Sequence, residues 1–498
     1  MAPVLGRRAC LALVAALGIA CFGPVAAHAD VLGATVASSP TGQAMPSGFV
    51  GVSFEYKALH QYTGRDPLAV DPAMLGLLRG LTPGQSPVIR IGGDSTDASW
   101  WPVRGMIPPG GISYRITKGW LRTTQALAAD LNAKLILGIN LAAGRPAIAA
   151  AEGRALTDGI GRRYIDALEI GNEPDLYGAF VWYRDRRGHL YRARNRKYNL
   201  SAYTKQFTQW SRTLPNLPLA GPATSGPSWM GGLGRFISTE SKHRLGLVTY
   251  HRYPLRACVT DSASPGFPSI PNLLADSSSS GLAKAMASYV SVAHQHKLPF
   301  RVGEMNSASC KGAPGVSDTF ASALWALDTL FNFASVGVDG VNFHMLPGSA
   351  YELFSPSQTT AGTWQAFVHP EYYGLLMFAQ AFPPGARLLP VSVPAGPLKV
   401  WATRATDGTT RVVAINQDTT NPHTVSVQVP GAVAAGSLEA LQAPSVSATS
   451  GVTLGGQTFG AETTTGTLPA PATTPVAPVL GTYSFNVPAG SAQLLTIR

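Results

Sequence analysis

The sequence has 498 residues, 45% of them hydrophobic and 13% charged, with a formal net charge of +11. This balance excludes an intrinsically disordered chain, and the length excludes a single small domain, leaving two or three units of ~100–250 residues. A basic chain attracts acidic polysaccharide, nucleic acid or an anionic surface, and net charge alone does not choose among them.

Residues 1–29 read as a secretory leader. Arg7 and Arg8 precede an apolar stretch from Cys10 to Phe22, and Ala27-His28-Ala29 forms an A-x-A cleavage site before Asp30. A lipid-anchoring role for Cys21 is the weaker alternative. Cleavage would remove two cationic residues and two cysteines, which predicts a secreted product, extracellular or periplasmic, of charge +9. Two cysteines would remain, Cys258 and Cys310, and in an exported protein they favour one disulfide. No later stretch reaches the ~18 apolar residues of a membrane span. Residues 30–47 precede the first regular pattern and are expected to add a strand to the C-terminal domain.

From 48 to 380 the chain alternates between short β-rich runs and amphipathic helical stretches. The runs are 51–56, 87–95, 133–140, 165–174, 217–225, 245–253, 298–307 and 338–346. Strand–helix alternation implies parallel strands with right-handed crossovers, and eight such units predict a (β/α)8 barrel of the α/β class. A doubly wound sheet is the alternative, but no GxGxxG follows the first run. From 381 to 498 the strands alternate polar and apolar residues and turns separate them, which predicts an antiparallel β-sandwich. Within it, the Thr/Pro/Ala-rich segment 463–478 reads as a surface loop or linker.

The active site of such a barrel lies at the C-terminal ends of its strands. Glu55, Asp94, Glu173 and Glu304 all fall there, as do His251 and Tyr253. Carboxylates are rarely buried without partners, so several acids at one apolar mouth need a chemical reason. Glycoside hydrolysis supplies one, because it uses two carboxyl groups ~5–5.5 Å apart in the retaining mechanism. Glu173 is then the general acid and base, and Glu304 the nucleophile, kept ionised by donors such as Tyr253 or Arg301. Glu169 shares the strand face of Glu173 but lies four residues deeper, and is expected to be a buried, paired residue. Asp94 could instead cap a helix with Ser95, and His251 could be a core histidine. Trp100 and Trp101 could stack on a sugar or pack in the core.

LEIGNEPDLY (168–177) resembles the strand-four signature of the large retaining glycosidase clan, and VGEMNS (302–307) its strand-seven nucleophile. With GVSFEY (51–56) and IRIGGDSTDASWW (89–101), the chain is similar to glycoside hydrolase family 79, which holds β-glucuronidases, 4-O-methyl-glucuronidases and heparanases. The likeness spans the barrel and the attached β-domain. It implies that Asn172 bonds the sugar 2-hydroxyl, and that Glu55 and Asp94 hold ring hydroxyls. It also implies that the loop 346–354 binds the substrate carboxylate through Tyr351 and backbone N–H groups, although that loop has no arginine or lysine.

Segment 183–199 holds seven Arg or Lys and one Asp, interleaved with tyrosines, directly after the fourth strand. It is a candidate site for acidic or sulfated glycan, the bland alternative being a solvated loop. It lacks the context of a nucleic-acid module, so no nucleic-acid partner is expected. No metal or nucleotide motif is present, so neither a metal nor a cofactor is expected. The expected substrate is a glucuronic-acid-containing oligo- or polysaccharide, cleaved from a chain end. Alternatives are endo-cleavage of a heparan-like chain and a non-catalytic carbohydrate-binding barrel.

Overall fold

A computed structural model describes residues 31–498. The leader, with Arg7, Arg8, Cys10 and Cys21, lies outside these residues.

Eight parallel strands close into one barrel in which each strand neighbours its successor. They are β1 (Val50–Glu55), β2 (Val88–Gly92), β3 (Lys134–Ile139), β4 (Ile165–Ile170), β5 (Leu219–Thr224), β6 (Leu245–His251), β7 (Phe300–Met305) and β8 (Gly340–Met345). The strands are buried almost throughout, which is why they read as apolar runs and not as strict alternation. One main helix follows each strand: Pro72–Leu81, Lys118–Leu131, Pro146–Ile160, Leu200–Ser211, Leu233–Glu240, Ser280–Gln295, Phe320–Ser335 and Pro370–Ala381. Local chemistry starts several of them. Asp71 accepts from the amides of Ala73 and Met74, Thr117 from Trp120 and Asn199 from Ala202, while Pro146 and Pro370 open their helices. The sequence runs extend past the observed strands by up to four residues, as at 165–174. Those extra residues form the mouth loops.

The interior of the barrel is polar at two levels. Near its N-terminal end Arg301 donates to Asn342 Oδ1 at 2.5 Å and to the carbonyl of Gly48 at 3.1 Å. Burial pushes its guanidinium down to about 10. Arg301 therefore does not serve Glu304, contrary to the sequence reading. It closes the floor of the barrel, because it sits at the start of β7 and Glu304 near its end. Higher up, the fully buried Arg90 pairs with Glu169 at 2.7 Å.

The C-terminal domain stacks two sheets around a core that includes Leu398, Val412, Val425, Tyr483 and Leu495. The larger sheet is built on β9 (Leu398–Arg404), β10 (Thr410–Asn416), β12 (Gly436–Gln442) and β14 (Ser491–Ile497). The smaller contains β11 (His423–Gln428) and β13 (Thr482–Val487). Val31–Val36 lies in the smaller sheet between β11 and the short strand Val391–Ser392, and its pairing with β11 is parallel, an exception in an otherwise antiparallel domain. The domain is fastened to the barrel. Trp401 stacks on Phe331 at 5.4 Å and donates to Asp328 at 2.9 Å. Segment 463–478 is not a free linker. Thr463 exchanges backbone bonds with Ala366, and the carbonyl of Thr465 lies so close to Gly76 that a Cβ there would sit 1.9 Å from it. Among the described residues no helix is long and apolar enough to cross a membrane.

Candidate active site

The chain between β4 and the first helical turn after it is sharply bent. Gly171 has φ +81°, and Glu173 adopts the left-handed region at φ 48°, ψ 53°, immediately before Pro174. A non-glycine residue pays of order 1–3 kcal/mol for this conformation, so neighbours must hold it. They do so from both sides: Asn172 N–H donates to Asp97 at 3.1 Å, and Glu173 N–H to the Ala223 carbonyl at 3.0 Å. The bend turns the Glu173 carboxyl over the barrel mouth, where it meets His251 Nδ1 at 3.2 Å.

Glu304 lies on β7 and faces the same space. Its Oε1 accepts from Tyr253 at 2.9 Å and its Oε2 from Arg90 at 2.8 Å. One atom each of Glu173, His251 and Glu304 lie within 4.8 Å of one another. An oxygen of each carboxylate thus lies within 4.8 Å of the other, on the scale of the ~5–5.5 Å of a retaining pair.

The two environments differ. Burial raises the Glu173 carboxyl above its ordinary range, and the His251 contact only partly offsets this. Burial would raise Glu304 as well. It is outweighed by the fields of His344, His251 and Arg90 and by the Tyr253 hydrogen bond, which hold Glu304 well below the usual carboxylate range. One acid is thus poised to carry a proton and the other to stay ionised. His251 is raised in turn: burial and Arg90 lower it, but Glu304 and the Glu173 contact prevail.

The other predicted residues gather around this pair. The oxygens of Glu55 accept the amides of Asp94 at 3.0 Å and Ser95 at 2.7 Å. That packing requires Gly93, at φ +69°, because a Cβ there would lie 2.4 Å from Glu55 Oε1. Asp94 caps no helix with its side chain. Its carboxyl reaches solvent at the cleft and takes a long bond, 3.4 Å, from Asn172. The protein packed around it, then Glu55, Glu173, Glu304 and Asp97, push it up to about 7. Asn172 Oδ1 accepts from Arg90 at 2.9 Å. Tyr351 is buried 6.3 Å from Tyr253, centroid to centroid, and burial followed by the charges of Glu304, Glu55 and Asp94 raises its phenol. Trp100 is buried in packing and Trp101 half-buried. Cys258 and Cys310 are joined, tying the loop that carries Tyr253 to the loop after β7. The latter loop supports Tyr351, since Ala350 N–H donates to the Lys311 carbonyl at 2.9 Å.

Sequence reasoning missed three residues here. Arg90 bonds Glu169, Glu304, Asn172 and Ser53 at 2.7–3.0 Å. Its signal was a lone cation between Ile89 and Ile91 in a buried run, which demands an ionic partner. His344 reaches Ser53 at 3.2 Å, Glu304 at 3.7 Å and Glu55 at 3.8 Å. Asp97 joins the loops after β2, β3 and β4.

Comparison with known proteins fits this geometry. Residues 400–494 match the glycosyl hydrolase family 79 C-terminal beta domain. A β-glucuronidase from Neurospora crassa is 25% identical over 400 residues, covering 74% of this chain and 69% of that one. Residues 400–494 thus form a family 79 C-terminal beta domain, and the longer match to the Neurospora β-glucuronidase spans most of the chain. The chain is thus a glycoside hydrolase. A β-glucuronidase from Aspergillus niger is 32% identical over a shorter stretch of 126 residues, 24% of this chain and 22% of that one. Among solved structures, a 4-O-α-L-rhamnosyl-β-D-glucuronidase from Fusarium oxysporum matches with a TM-score of 0.72 at 21% identity, over 93% of this chain and 100% of that one. A family 51 arabinofuranosidase from Xanthomonas axonopodis has the same fold, with a TM-score of 0.67 at 16% identity, over 94% of this chain and 100% of that one.

Proposed function

We propose that this glycoside hydrolase is a family 79 β-glucuronidase, acting by retaining double displacement. The observation that carries the mechanism is the carboxyl pair within 4.8 Å at the barrel mouth, one acid raised and the other lowered. Glu304 attacks the anomeric carbon while Glu173 protonates the departing oxygen, leaving a glycosyl ester on Glu304. Glu173, now ionised, takes a proton from water, which attacks the same carbon and frees Glu304. Asn172, Asp94 and Glu55 border the sugar space, and Tyr351 with the backbone of its loop offers neutral donors for the C6 carboxylate. The glucuronide preference draws on the names of the fungal relatives. The protein is read as exported through its leader.

The test is hydrolysis of an aryl β-D-glucuronide beside the matching glucoside. Release from the glucuronide alone is expected. Its rate should fall on the alkaline side, where Glu173 loses its proton, and on the acid side only well below the usual carboxylate range, where Glu304 gains one. Preference for the glucoside would keep the two-acid mechanism and remove the role given to Tyr351.

A second reading is endo-cleavage of an acidic or sulfated polysaccharide. It is favoured by the hairpin Tyr183–Arg184/Leu190–Tyr191 and its flanks, where Arg184, Arg186, Arg187, Arg192, Arg196 and Lys197 are exposed. Arg194 is not available, since it bonds the carbonyls of Leu141 and Ala142. Hydrolysis of a sulfated glucuronate polymer to large fragments would select this reading; release of single sugars would reject it.

A further inference from the structure

Asp97 is almost wholly buried, and no basic side chain pairs with it among the described residues. Its charge is held by four donors alone. Oδ1 accepts the amides of Leu141 and Ala142, both at 3.0 Å, from the loop after β3. Oδ2 accepts the Asn172 amide at 3.1 Å and the Tyr177 hydroxyl, both from the segment after β4. Its main-chain carbonyl accepts from Asn140 and from the Trp182 indole, each at 3.1 Å. One residue after β2 therefore joins three mouth loops and the root of the basic hairpin.

The Asn172 amide matters most. It immediately precedes Glu173, whose left-handed backbone before a proline is a conformation that this residue would leave if unsupported. We infer that Asp97 is a positioning residue for the proton donor: by holding the Asn172 amide it keeps the Glu173 carboxyl aimed at the leaving-group oxygen. The inference rests on the proposed role of Glu173. It gives Asp97 no contact with substrate and no share in the attack by Glu304, which Arg90 and Tyr253 position from the other side of the site.

An asparagine at 97 makes the point chemically. If its carbonyl stays on the Leu141 and Ala142 amides, its NH2 group faces the Asn172 N–H, donor against donor; if it flips, it faces two N–H groups. The first arrangement is the less costly and releases the residue before Glu173.

The test uses the full-length protein and two glycosides of the sugar that the wild type hydrolyses, one with a dinitrophenyl leaving group and one with an alkyl leaving group. Dinitrophenolate leaves without a proton, whereas an alkoxide requires one. For Asp97→Asn, kcat/KM on the alkyl glycoside should fall roughly 10²-fold, and the rate of glycosyl-enzyme formation from the dinitrophenyl glycoside by less than about threefold. Tyr177→Phe, which removes one of the four donors, should shift the same ratio in the same direction by a smaller factor, and decides the matter if Asp97→Asn does not fold. Equal losses on both substrates, or no loss on either, would overturn the inference. Glu173→Ala serves as reference. If it shows no dependence on the leaving group, the assignment of Glu173 as proton donor fails, and this inference fails with it. If it shows the dependence and the variants at 97 and 177 do not, only the inference about Asp97 fails.

Discussion

Glu304→Gln is expected to lower kcat/KM on an aryl glycoside by roughly 10⁵-fold or more, the scale of losing a covalent nucleophile. The amide cannot attack the anomeric carbon, and no other carboxylate can replace it. Glu169 is locked to Arg90 and fully buried, and Glu55 is occupied by the amides of Asp94 and Ser95. The fold should survive, because an amide oxygen can still accept from Arg90 or Tyr253. Thermal denaturation beside the rate measurement separates lost chemistry from lost structure. A variant within tenfold of wild type would remove Glu304 from the nucleophile's role.

Arg90→Met should damage both stability and catalysis. Arg90 is completely buried, and its loss strands Glu169 and Glu304 in the barrel interior. Breaking a buried pair from one side costs about 3–5 kcal/mol, because an uncompensated charge remains. Glu304 also loses one of the groups that keep its carboxyl low. It will then take up a proton at higher pH, and the acid limb of the pH–rate profile should move upward. Urea denaturation measures the first effect and the kcat/KM profile the second. Stability within about 1 kcal/mol of wild type together with an unmoved acid limb would contradict the account of Arg90.

The parts of this arrangement differ in how far the sequence reveals them. The barrel is legible because each strand is buried on both faces and writes itself as a short apolar run between helical patterns. Glu173 stands out because Gly-Asn-Glu-Pro follows such a run, and Glu304 because it interrupts another. Arg90 is equally visible as a charge among isoleucines, but its partners are fixed only when β2, β4 and β7 close into one cylinder. Arg301 shows the converse error. It is three residues from Glu304 in the chain, yet one lies at the floor of the barrel and the other at the mouth. His344 acquires its place through the pairing of β8 with β1, where His344 is the register partner of Ser53. Asp97 offers no local signal, since its four donors come from two later loops. The same holds for Val31–Val36, whose parallel partner lies almost 400 residues on.

The retaining two-carboxyl mechanism is tested most directly by the stereochemistry of the first product. Proton NMR during hydrolysis of an aryl β-glucuronide by high enzyme concentrations would follow the anomeric signals before mutarotation. The β-anomer of the free sugar should appear first, with the α-anomer growing in later, because two inversions at Glu304 restore the original configuration. An α-anomer formed first would mean single displacement by water, and would contradict the role of Glu304 as nucleophile.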